Sequence, residues 1–89
     1  MALDRLHDAT LIGLNFDWKN AEVVVEVEPY AYEGNRKITI RDVIGLEVPR
    51  EQPWGPSVSI NGVVDKPDTC EIEMQSGDVI VIRKKPARD

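Results

Sequence analysis

One pairing in this chain could do acid–base work: a histidine directly followed by a carboxylate, His7-Asp8. A catalytic dyad also needs a nucleophile within hydrogen-bond reach and a third group that orients the base. Neighbouring residues of an extended chain point to opposite sides, so adjacency supplies neither. The plainer reading is a turn or helix start capped by Asp8. A carboxylate-based hydrolase would have to gather His7, Asp8 or Asp17 into one pocket. Metal chemistry has less to draw on. One histidine and one cysteine do not make a zinc site. Asp65 and Asp68 flank a turn but lack the spacing and closing glutamate of a calcium loop. Neither GxGxxG nor GxxxxGK[ST] occurs. The expectation is a non-enzymatic protein with no catalytic residue, no metal and no cofactor.

Binding has better candidates. Residues 49–57 read Pro-Arg-Glu-Gln-Pro-Trp-Gly-Pro-Ser, with three prolines, a glycine and no period. They form a constrained loop that carries Trp54. A rigid aromatic on a stiff loop loses little entropy on binding and makes a good anchor. The competing reading folds Trp54 back as a lid over the core. Arg50 and Glu51 are then rim residues or a local ion pair. A second candidate is electrostatic. Glu22, Glu26 and Glu28 lie along one predicted strand and Glu71 and Glu73 along another. If those strands are neighbours, one sheet face is strongly negative. That face is either the wet side of an amphipathic sheet or a surface that steers a basic partner.

The charge balance sets the partner class. Sixteen acidic residues against eleven basic ones leave a net charge of −5, and the pI is near 4.8. Phosphate backbones need a positive surface, so nucleic acid and anionic membranes are not expected as partners. The short basic tail Arg83, Lys84, Lys85 and Arg88 does not change that. A protein partner, basic in character, suits the charge, and so does a homodimer.

These side chains must be positioned by strands, because the apolar period is 2 almost throughout. Ile12, Leu14, Phe16 and Trp18 share one predicted face over 10–18. Val23, Val25 and Val27 point inward over 21–28, and a Lys19-Asn20 turn makes these two runs a hairpin. Ile38 and Ile40 follow over 36–41. Residues 43–48 form another strand, with Gly45 marking a bulge or bend. Val58 and Ile60 point inward over 57–60. Asn61-Gly62 reads as a hairpin turn. Glu33-Gly34-Asn35, 65–68 and Ser76-Gly77-Asp78 read as further turns. Cys70, Ile72 and Met74 are inward over 69–75. Residues 79–83 form the last strand, apolar on both faces up to Ile82, and are therefore expected to be central or covered on both sides. Only residues 2–9 hint at a helix, too short to stand alone. Residues 83–89 form a charged tail. Eighty-nine residues allow a single domain. The expected fold class is all-β: an antiparallel β-sandwich or a small, partly open barrel of six to seven short strands. A domain this small is not expected to hold a reactive or ligand-carrying cavity.

Cys70 is the lone cysteine, so no internal disulfide forms, and a buried, inert thiol is expected. The opening MALDRLHDATLIG lacks a basic n-region and a long apolar core, so it does not read as a secretory signal, and a cytoplasmic location is expected.

Three stretches carry a resemblance: LHDATL at 6–11, PWGPSVSIN at 53–61 and EIEMQSGDVIVI at 71–82. Together they resemble a group of small bacterial proteins of uncharacterised function. The LHDA opening, followed by a strand ending in Asp17-Trp18, also looks like some immunity proteins of bacterial toxin systems. The resemblance implies a bacterial, cytosolic β-domain and supplies no catalytic residue. The function expected is that of a non-catalytic domain acting through protein contacts, using a strand edge or the Trp54 loop. Its sharper form is an immunity-type inhibitor that presents its glutamates to a basic toxin.

Overall fold

The computed structural model describes residues 6–29 and 34–85. They form seven strands: β1 (Thr10–Asp17), β2 (Glu22–Glu28), β3 (Arg36–Ile40), β4 (Val43–Glu47), β5 (Ile60–Asp65), β6 (Thr69–Met74) and β7 (Val79–Lys84). Every pairing is antiparallel. Two open sheets result, β1-β2-β3 and β4-β7-β6-β5. The fold is all-β, a small sandwich with no helix among the described residues and hence none able to cross a membrane. The helical hint fails where it can be seen. Residues 6–9 make a turn with Asp8 at φ +66°, and Leu6 and Ala9 are buried; residues 2–5 lie outside the described residues. The turn at 33–35 and the tail at 83–89 are described only in part, from Gly34 onward and up to Lys85.

Alternation builds the core. Val23, Val25 and Val27 of β2 are buried, as are Cys70 and Ile72 of β6 and Ile80 and Ile82 of β7. β7 is central in its sheet, between β4 and β6, with Ile80 and Ile82 buried and Val79 and Val81 half-buried on its other face. Burial comes first in raising the Cys70 thiol. The charges of Asp65 and Glu71 add to it, Lys84 opposes, and the pKa reaches about 11. Native protein at about pH 8 should therefore resist iodoacetamide, whereas urea-unfolded protein should react within minutes. Equal labelling of both states would contradict the burial.

Three irregularities depart from simple alternation. The register shifts between Leu11 and Gly13, between Val43 and Gly45, and between Ile60 and Gly62. Each inserts one residue (Ile12, Ile44, Asn61), and the residue after it is glycine. The first insertion resets the parity of β1. Leu11, Leu14 and Phe16 pack on the core, while Ile12 is half exposed. Trp18, expected on the inner face with them, lies beyond the strand end and is exposed, its ring 6.2 Å from that of Phe16. At the second, a Cβ on Gly45 would collide with the Arg83 guanidinium. The third overturns the expected Asn61-Gly62 turn. Both residues lie inside β5, and the Asn61 amide donates to Glu73 Oε1 at 2.6 Å. The β5–β6 turn is instead closed by Lys66 N–H donating to the Thr69 carbonyl at 2.7 Å.

The sheets are tied along one side. A bridge joins Thr10 to Ser59. The Leu11 N–H donates to the Val58 carbonyl and the Ile60 N–H to the Ala9 carbonyl, each at 2.8 Å. Val58, expected inward beside Ile60, is exposed, because this segment is held by a bridge to β1 and by the Gln75 N–H on the Ser59 carbonyl before β5 begins.

Candidate functional site

Two polar residues are buried among those described, Ser76 and Asp78. Both serve the proline-rich loop. The Asp78 carboxylate accepts from the Glu51 N–H at 2.8 Å, from the Gln52 N–H at 2.9 and 3.0 Å, and from the Ser76 hydroxyl at 2.8 Å. Burial pushes its pKa up. The Ser76 hydroxyl, the Glu51 and Gln52 N–H groups and the charge of Arg50 outweigh that and hold it below the usual carboxylate value. Gln52 sits at φ +54°, left-handed backbone that a side-chain-bearing residue adopts only under constraint. The carboxylate supplies that constraint.

The same turn carries the tryptophan. The Trp54 N–H donates to the Ser76 carbonyl at 2.8 Å, and the Gly55 N–H to the Gln52 carbonyl at 3.0 Å. Gly77, at φ +96°, lies directly under the ring, where a Cβ would collide with indole Cδ1 and Nε1. Trp54 nonetheless remains 80% exposed. The lid reading is thus overturned: the ring leans one edge on Gly77 and offers the rest to solvent.

Beside this loop a cleft opens between the sheets, with a volume of about 540 Å³. Leu14 and Phe16 of β1, Leu46 of β4, Met74 of β6 and Ile80 of β7 line its depth, while Ile12, Val48 and Val58 form an exposed apolar rim. Arg50, Gln52 and Asp78 mark its polar end. Sequence reasoning expected no such cavity. It exists because the Ile12 bulge follows the Leu11 N–H bond to the Val58 carbonyl, beyond which β1 and the 57–60 segment part. Its ionisable lining is one carboxylate and one guanidinium.

The glutamates do not form one face. Glu22, Glu26 and Glu28 belong to β2 and Glu71 and Glu73 to β6, in different sheets. Three have side-chain partners nearby. Glu22 pairs with Arg41 at 3.5 Å and Glu71 with Lys66 at 3.4 Å. Glu26 stands opposite Lys37, and Glu73 accepts from Asn61. Glu28 is exposed at the end of β2. Strand order, which alternation does not encode, separates the two ridges.

The acid–base candidates do not gather in one pocket: His7 and Asp8 touch, but Asp17 is remote from them. His7 Nδ1 lies 2.6 Å from the Asn61 carbonyl and Nε2 3.5 Å from Asp8, whose carboxylate accepts from Gln75 at 2.5 Å. Asp17 is at the far end of β1, accepting from the Asn20 amide at 2.9 Å and its N–H at 3.2 Å. Those two bonds hold its carboxyl below the usual value against some desolvation, helped by the Lys19 N–H. Neither group lines the cleft. Asp65 bonds Lys84 at 2.6 Å, and no group of acidic, histidine or cysteine side chains among the described residues could hold a metal ion.

No family model matches the chain, and no curated protein or solved structure is significantly similar to it. Its strands and its site define it: a seven-stranded sandwich with an apolar cleft bordered by a pinned aromatic loop.

Proposed function

We propose that this is a non-catalytic domain that binds another protein through the Trp54 loop and the neighbouring cleft. One observation carries the reading: an indole 80% exposed on a loop whose backbone is fixed by a buried carboxylate. Leaving such a ring in water forgoes its burial in a chain short of core. A fixed loop, in turn, avoids the ordering entropy that binding normally costs. The same loop reaches the cleft through Arg50 and Gln52, and the exposed rim of Ile12, Val48 and Val58 adds an apolar patch of the kind that marks interaction sites. The acidic ridges are secondary here, because they lie in different sheets and two of the five glutamates are already paired with local cations.

Random-peptide display on the immobilised protein, screened in parallel on Trp54→Ala, tests the reading. The indole supports no core residue, so the variant should melt within a few degrees of the parent. Enriched peptides should bind the variant roughly 30-fold less tightly. Equal binding to both proteins, or no enrichment on either, would overturn the reading.

A further inference from the structure

The free edge of β1 and the charge of Arg50 say what the occupant of the cleft looks like. Within its sheet β1 has one neighbour, β2. Its other edge bonds the 57–60 segment only as far as Leu11. From Gly13 to Asp17 no backbone hydrogen bond joins that edge to another described residue. An unpaired edge is a template for another strand. This one borders the apolar cleft, since Gly13, Leu14 and Phe16 all line it. A strand added there would send alternate side chains to one side, spaced about 7 Å apart, toward Leu46, Val48 and Ile80.

Charge fixes the polar end. Arg50 is the cation of the cleft lining, and it makes no ion pair with a described residue. Asp78 across from it is already engaged by two loop N–H groups and the Ser76 hydroxyl. With the Gln52 amide oxygen turned toward it, the guanidinium is steadied by contacts at 3.0 Å. A planar guanidinium held beside an apolar slot suits a carboxylate.

We propose that the partner inserts an extended segment that pairs with β1 from Gly13 to Asp17, lays alternate apolar side chains into the cleft and sets a carboxylate on Arg50. This rests on the reading of the site given above and names the chemistry of its partner.

The probe is a pool of acetylated hexapeptides with valine or leucine at alternate positions, serine or threonine between them, and a free terminal carboxylate. Its binding to the intact chain is compared with that of the amidated pool and of two pools N-methylated at odd or at even positions. The acid pool should bind about tenfold more tightly than the amide, and Arg50→Gln should abolish that difference. N-methylation should weaken binding about tenfold in one register and hardly in the other, since only one set of N–H groups faces β1. Equal binding of acid and amide, or equal effects in both registers, would overturn the proposal. Trp54→Ala separates the two ideas. Acid and register preferences that persist undiminished in that variant uphold strand addition and remove the indole anchor. Trp54-dependent binding without either preference does the reverse.

Discussion

Asp78→Ala should lower the melting temperature by roughly 10 °C and free the 49–57 loop. The substitution leaves the Glu51 and Gln52 N–H groups and the Ser76 hydroxyl without the acceptor they share. Buried donors without partners cost more than the bond itself contributed. Gln52 then has no reason to hold its left-handed backbone, so amide exchange should rise across the loop while β6 and β7 stay protected. The effect depends on pH. The folded carboxyl titrates below its ordinary value of 3.8. Its contribution is therefore fully present above about pH 5 and fades as pH falls through the folded value. Parent and variant melting curves should differ most near neutrality and converge in acid. A constant gap down to about pH 2 would show that the carboxylate charge is not what holds the loop.

Ile72→Ala should cost about 3–4 kcal/mol in urea unfolding. Ile72 is fully buried in β6, opposite Val63 of β5 and Ile80 of β7. Strands on both sides limit how far the sheet can collapse into the space left behind. Small domains have only about 5 kcal/mol to lose, so about 1–2 kcal/mol would remain and several per cent or more of the molecules would be unfolded at any moment. Val64→Ala, one residue along from Val63 and exposed, should change stability by less than about 0.5 kcal/mol. Similar losses at both positions would contradict the core assigned here.

Alternation made most of the strands readable. Val23, Val25 and Val27, and then Cys70, Ile72 and Met74, are inward because one buried face leaves a two-residue signature. The bulges escaped it, since an added residue breaks that period without announcing itself. A local signal was nevertheless present: Ile12-Gly13, Ile44-Gly45 and Asn61-Gly62 each place a glycine after the inserted residue. Gly45 was recognisable as such a point, whereas Asn61-Gly62 looked like a turn because the same pair also suits a two-residue hairpin. The Trp54 loop stood out through its prolines. Its exposure did not, because the anchor is Asp78, 26 residues from Gln52, and a contact that distant leaves no pattern in either segment. The cleft was hidden for a related reason. It depends on where β1 parts from residues 57–60, which is decided by a bulge and a strand order, not by composition.

The most direct test is an amide chemical-shift map of the protein bound to the most enriched displayed peptide. Shifts should concentrate at residues 12–16, 46–58 and 76–80, over the Trp54 loop and the neighbouring cleft. Shifts centred on Glu22, Glu26 and Glu28 of β2, or on Glu71 and Glu73 of β6, with the Trp54 loop unmoved, would contradict it.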